Sequence, residues 1–165
     1  MNDDSLTLEC IRLTPKWTGN LVEFFQALEM AGDSHYFSPH PATEDAINAL
    51  AKRKGKDLYC LLVGDDNILG YGLLRGWDEG YEVPSLGIAI HPAARGRGLG
   101  AVLMRFLHAL AIQRGAKKVR LRVRKENETA IRLYKSFGYV FENEINQDEY
   151  LVGLKSLTGK CDCDQ

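Results

Sequence analysis

Neither sign of charge predominates in this chain. Its 165 residues carry 21 Lys and Arg against 22 Asp and Glu, a formal net charge of −1. That balance argues against a nucleic-acid binder driven by counterion release. No apolar run approaches the roughly 20 residues of a membrane span, and Met1 to Leu8 carries acids where a secretion signal needs bases. The expectation is a cytoplasmic protein with neither nucleic acid nor membrane as partner. Cysteine is sparse, with four residues, and builds no framework. Cys10 and Cys60 fall in apolar strand-like runs and read as small buried hydrophobes. Cys161 and Cys163 fall in a polar tail with no His or second Cys pair beside them, so they read as a frayed end, and no metal is expected. Repeats, linkers and low-complexity segments are absent as well. Residues 1–157 are expected to form a single domain, with 158–165 a tail without fixed order.

What is present is a regular alternation of short elements. Thr7 to Leu13 reads as a strand. Thr14-Pro15 then reads as the start of a helix, proline at its first position. Trp17, Leu21, Phe24, Phe25 and Leu28 recur at spacings of three and four and make its apolar face. Gly32 ends it, and a loop rich in histidine and aromatics, Asp33 to Pro41, follows. Thr43 caps a second, short helix through Ala51. Leu58 to Val63 and Ile68 to Leu74 flank Gly64-Asp65-Asp66-Asn67, a hairpin signal. Tyr81 to Ile90 reads as one strand. Leu99 to Arg114 is a long amphipathic helix closed by Gly115. Lys117 to Val123 alternates cleanly, with Val119, Leu121 and Val123 inward and the arginines of Arg120-Leu121-Arg122 outward on a solvated face. Asn127 caps a helix that Gly138 closes. Tyr139 to Phe141 and Glu149 to Leu154 are the last strands. The order βααβββαβαββ is an α+β layout with a mostly antiparallel sheet.

Between strand and long helix lies His91-Pro92-Ala93-Ala94-Arg95-Gly96-Arg97-Gly98-Leu99-Gly100. Strand, glycine-rich turn and helix is an arrangement that holds phosphate. A helix N-terminus has unpaired amides and a dipole that favours an anion. Glycine lets the backbone approach the ligand, and Arg95 and Arg97 add charge for phosphate oxygens. Alone, the segment also fits a plain tight turn.

The segment Asn127-Glu128-Thr129-Ala130-Ile131-Arg132-Leu133-Tyr134-Lys135-Ser136-Phe137-Gly138-Tyr139 sharpens the reading. Together the two segments resemble the GNAT superfamily of acyl-CoA-dependent N-acetyltransferases. That family carries Arg/Gln-x-x-Gly-x-Gly/Ala, here Arg95, Gly98 and Gly100. Downstream it carries Asn-x-x-Ala-x-x-Leu-Tyr-x-x-x-Gly-Phe/Tyr, here Asn127, Ala130, Leu133, Tyr134, Gly138 and Tyr139. The resemblance spans roughly residues 6 to 155 and implies a mixed sheet whose one parallel pair splays apart to admit the cofactor. It implies acetyl-CoA as co-substrate and a small-molecule or peptide amine as acceptor, and dimerisation is common in the family. It further implies that the backbone of Ile88, Ala89 and Ile90 holds the pantetheine arm and the acetyl carbonyl. The amides of Gly96, Arg97, Gly98, Leu99, Gly100 and Ala101 take the pyrophosphate. Asn127 and Ala130 line the pantetheine channel, and Tyr134 gives its proton to the CoA sulfur.

Acyl transfer to an amine also needs a proton acceptor. Glu82 is the first candidate, because the predicted strand runs from it toward the cofactor; Glu79 is the second. His35 and His40 are rivals, since histidine titrates near working pH. The acceptor wall is read as Gly76 to Glu82 with Trp77, together with the loop holding His35, Tyr36 and His40. Two other classes fit parts of the pattern. A non-catalytic acyl-CoA sensor would keep the glycine loop. A dinucleotide-binding oxidoreductase would use Gly96-x-Gly98-x-x-Ala101, although the loop comes late for a doubly wound sheet.

Overall fold

The computed structural model describes residues 7–145 and 147–158; Cys161 and Cys163 lie outside them. The elements are β1 (Leu8–Arg12), α1 (Thr18–Met30), α2 (Glu44–Lys52), β2 (Leu58–Gly64), β3 (Asn67–Arg75), β4 (Ser85–Ile90), α3 (Leu99–Gln113), β5 (Lys118–Arg124), α4 (Glu128–Ser136), β6 (Val140–Glu144) and β7 (Gln147–Ser156). This is the order expected from the sequence. The strands form one sheet in the order β1-β2-β3-β4-β5-β7-β6. Every neighbouring pair is antiparallel except β4 and β5. With one parallel pair the sheet is not doubly wound, and the dinucleotide-binding alternative loses its fold.

Local chemistry sets most of the boundaries. Asp65 and Asp66 both take positive φ, at 49° and 61°, which gives the β2–β3 hairpin its tight turn. Thr43 accepts the amide of Ala46 at 3.3 Å and caps α2, and Asn127 accepts that of Ala130 at 3.3 Å and caps α4. Pro15 opens a 3₁₀ turn, Pro15–Trp17, and α1 proper starts at Thr18 rather than at the proline.

The last two strands run longer than expected, β6 to Glu144 and β7 from Gln147 to Ser156, and one boundary moves for a clear reason. β4 begins at Ser85, not Tyr81. The Asp57 carboxylate accepts the amides of Gly76 at 2.9 Å and Asp78 at 3.2 Å, drawing that segment into a turn. Gly76 and Gly80 have φ of 113° and 90°, and Pro84 has no amide to give a ladder.

Alternation along the strands divides the core into two layers. Leu58, Cys60 and Leu62 of β2 face α3 and α4 with Val119, Leu121 and Val123 of β5. Tyr59, Leu61 and Val63 face α1 and α2. Gly72 lets α3 sit close on β3, since a Cβ there would lie 2.9 Å from Leu107 Cδ1 and 3.1 Å from Leu103 Cδ1. That approach seats α3, and so fixes where its N-terminus meets the end of β4. No helix among the described residues is long and apolar enough to cross a membrane.

Candidate active site

β4 and β5 meet at a single register pair, Ser85 with Arg120. The Arg120 amide also bonds the Pro84 carbonyl at 3.0 Å. Beyond that point β5 leaves, and the edge of β4 from Leu86 to Ile90 lines a cleft of about 710 Å³. This volume lies in the range of roughly 300–1,000 Å³ typical of small-molecule sites. The far wall comes from Arg122 and Val123 of β5 and, in and just before α4, from residues 126–130, Leu133 and Tyr134.

The glycine loop closes one end. Gly96 and Gly98 have φ of 73° and 74°, and a Cβ on either would meet nothing within 4 Å. Their left-handed conformation therefore serves the backbone path, not close packing. The first intrahelical bond of α3 runs from Val102 to the Gly98 carbonyl at 3.4 Å. Among the described residues, the backbone amides of Gly96 to Ala101 have no protein partner. A run of unbonded amides at a helix N-terminus is a site for a phosphate or another anion. Gly100 allows a close approach from α4, for a Cβ there would lie 3.2 Å from Leu133 Cδ2.

Tyr134 lines the same cleft as β4. Its side chain is 7% exposed, and burial pushes the phenol up to about 12. It therefore keeps its proton at neutral pH and can donate it. Behind it the Tyr139 hydroxyl shares a 2.7 Å hydrogen bond with His108 Nε2. Burial, with Lys155 nearby, lowers His108 to about 4, so the imidazole is neutral. Burial, and then Tyr134, push Tyr139 upward.

Most of the residues expected at the cofactor come together here. Ile88, Ala89, Ile90, Arg95, Gly96, Gly98, Leu99, Gly100, Ala101, Asn127, Ala130 and Tyr134 all line the cleft. Arg97 does not; it lines a separate depression of about 300 Å³ with Asn20, Glu23 and His91. Of the acceptor residues, Tyr36 lines the cleft. His35 stands beside it, its Nε2 2.8 Å from Glu126, and hydrogen bonding to His35 lowers the Glu126 carboxyl.

His40 lies elsewhere, against Phe25, Tyr59 and Tyr71. Its Nδ1 donates to the Pro41 carbonyl at 2.9 Å, and its Nε2 meets the Tyr71 hydroxyl at 2.8 Å. Burial lowers its pKa, and the ring sits as a member of an aromatic cluster. Trp77 packs beside the α3 core. Glu79 and Glu82 are exposed in the loop before β4 and are not among the cleft-lining residues. The reason is the Asp57-held turn, which ends the strand that was to carry Glu82 inward.

Sequence reasoning missed Leu28, Arg122 and Glu126 in the lining, and within the acceptor loop it singled out His35, Tyr36 and His40 where Asp33, Tyr36 and Phe37 line the cleft. Glu126 adjoins the Asn127 cap, a signal that pointed close to it. The pairing of Asp33 with Arg95 has no local signal, since the two are 62 residues apart. Arg122 pairs with Glu144 at 2.6 Å and lies 3.5 Å from the centre of the Tyr150 ring, so this part of the β5 face is engaged rather than simply solvated.

A splayed parallel pair, a glycine loop with unbonded amides and a buried tyrosine thus meet at one cleft. The model of the acetyltransferase (GNAT) family matches residues 22–139, and the chain belongs to that family. The solved structures agree in fold. A GNAT-family acetyltransferase from Streptococcus pneumoniae superposes with a TM-score of 0.76 at 19% identity, over 91% of this chain and 99% of that one. An N-acetyltransferase from Thermoplasma acidophilum, in complex with coenzyme A, gives 0.75 at 13%, over 91% and 99%. A protein from Salmonella typhimurium solved with its cofactor acetyl-CoA gives 0.76 at 16%, over 96% and 98%.

Proposed function

We propose that this protein transfers an acetyl group from acetyl-CoA to a primary amine, by direct attack of the amine on the thioester in a ternary complex. The observation that carries the reading is that Tyr134, the β4 edge beyond its one pairing with β5 and the glycine loop with its unbonded amides all line one cleft. Loop amides from Gly96 to Ala101 suit a pyrophosphate. Backbone groups of Ile88, Ala89 and Ile90 suit the pantetheine amides and the thioester carbonyl, whose oxygen gains charge during attack. Asn127 and Ala130 wall the channel. Tyr134 donates its proton to the departing sulfur as the carbon–sulfur bond breaks.

The amine's proton goes to a carboxylate. Glu82 is the first candidate and Glu79 the second; both lie outside the cleft lining, so either would take the proton through water. His40 is excluded from this task, both ring nitrogens being bonded inside the protein. His35 and Tyr36 border the acceptor side, which suits a polar amine such as an amino sugar, an amine metabolite or a peptide N-terminus. The test is thiol release from acetyl-CoA with a panel of such amines, beside melting curves with acetyl-CoA and with NAD(P). Acetyl-CoA raising the melting temperature with thiol released supports the transferase. Binding with no release from any amine supports the sensor.

A further inference from the structure

The 3₁₀ turn after α1, Asp33–His35, borders the cleft and is fastened on both the β4 and the β5 side. On the β4 side, Arg95 Nη2 donates to Asp33 Oδ2 at 2.6 Å and to the Ile90 carbonyl at 3.3 Å. On the β5 side, Arg124 Nε donates to the His35 carbonyl at 3.0 Å, and His35 Nε2 meets Glu126 Oε1 at 2.8 Å. The amides of Tyr36 and Phe37 both bond the Asp33 carbonyl, at 2.8 and 3.0 Å. One short segment therefore carries Asp33, tied to the glycine loop, and two aromatics that line the cleft. Phe37 lies against β4, its Cε2 3.2 Å from where a Cβ on Gly87 would stand. The Asp33 side chain is 19% exposed and that of Arg95 47%. A short, partly sheltered pair holds its geometry better than an open surface pair.

We propose that Asp33 is a positioning residue that couples the glycine loop to the acceptor wall. The coupling rests on the reading that acetyl-CoA occupies the loop. An anion bonded to the loop amides restrains the backbone that starts at Arg95. Arg95 is bonded to Asp33, so the restraint passes to the turn and to Tyr36 and Phe37 beyond it. Such coupling is reciprocal: an amine held against Tyr36 and Phe37 tightens acetyl-CoA by the same factor.

Amide hydrogen exchange with and without acetyl-CoA tests this before any acceptor is known. In the wild type, acetyl-CoA slows exchange at Gly96 to Ala101 and, about fivefold or more, at Tyr36 and Phe37. In Asp33→Asn, which keeps the shape and removes the charge, slowing at the loop remains and slowing at Tyr36 and Phe37 is lost. Asp33→Glu restores part of it. His35→Ala removes the side-chain bond to Glu126 on the other side, while Arg124 keeps its bond to the residue-35 carbonyl, and leaves the transmission intact, a result that a merely structural turn would not give. Equal slowing of Tyr36 and Phe37 in wild type and Asp33→Asn overturns the coupling alone, as does loop slowing that never reaches them. No slowing at Gly96 to Ala101 in the wild type removes the acetyl-CoA reading, and the coupling with it.

Discussion

The two walls of the cleft are built from different materials. The wall at the start of α3 offers backbone: a run of unbonded amides from Gly96 to Ala101 held open by two left-handed glycines. The wall beneath α1 offers side chains: Asp33, Tyr36, Phe37 and, across the gap, Glu126. Backbone amides are the same whatever residues bear them, so they suit a chemical group that does not vary. Side chains suit the partner that must be told from others. That is the division expected of an enzyme with one donor and a selected acceptor. Tyr134, on α4, belongs to neither of these two walls.

Tyr134 is where the division is most sharply tested. Tyr134→Phe keeps the ring that packs beside Tyr139 at 5.9 Å and removes the proton. The expected loss in kcat is about 10²-fold, the usual size for removing a general acid. Acetyl-CoA affinity by calorimetry stays within about threefold, because the backbone wall is untouched. A fully active Phe variant would make the tyrosine a packing residue and leave both walls without an acid.

The pair behind Tyr134 gives the next largest effect, on stability rather than rate. His108 is lowered to about 4 by burial and by Lys155, against about 6.5 in an unfolded chain. Its contribution is thus complete above about pH 6.5. It is lost as pH falls toward 4, because the unfolded state takes up a proton that the folded state refuses. The loss is roughly 2 kcal/mol across that window. Urea unfolding from pH 7 to 4.5 measures it. His108→Gln, which can still bond the Tyr139 hydroxyl, should flatten the pH slope. An unchanged slope assigns the acid sensitivity to other groups.

The contrast between walls is also a contrast in what could be read from the chain. Gly98, Gly100, Asn127 and Tyr134 were legible because loop, cap and helix face are local: each depends on residues within about one helical turn. The element order was legible for the same reason. The acceptor wall depends on partners far apart. Asp33 finds Arg95, and His40 is drawn to Tyr71 instead of the cleft. Asp57 gathers the amides of Gly76 and Asp78, and that removes Glu79 and Glu82 from the strand edge. Arg97 sat in the right motif, yet its side chain lies outside the cleft. Nothing in local spacing tells on which side of a loop an arginine will lie.

If the general wall is backbone, it should fail through backbone. Gly98→Val places a β-branched residue at φ 74°, a conformation that costs about 1–3 kcal/mol. A Cβ at this position meets no protein atom within 4 Å, so a protein clash does not confuse the result. Acetyl-CoA should bind about tenfold more weakly, as the loop relaxes toward another conformation and its amides turn away. Gly100→Val is a poorer probe, because its Cβ would also press on Leu133. Calorimetry on folded Gly98→Val checks the point. Unchanged affinity would mean that the loop amides do not hold the donor.

The smallest effect belongs to a place that neither wall includes. Asp66 takes φ 61° in the β2–β3 turn, where an L side chain is strained and glycine is not. Asp66→Gly relieves that strain, and the added freedom of the unfolded chain offsets part of the gain. The net stabilisation is about 0.5 kcal/mol, or roughly 1–2 °C in melting temperature for a chain of this size. kcat, acceptor KM and acetyl-CoA affinity should stay at wild-type values, since the turn touches neither the glycine loop nor the Asp33–Phe37 segment. Calorimetric melting and steady-state rates on the same preparation decide it. A change in acetyl-CoA affinity would show that strain in the scaffold reaches the loop through β3 and His91, whose amide bonds the Leu69 carbonyl at 2.8 Å. In that case the backbone wall would not be independent of the hairpin that supports it.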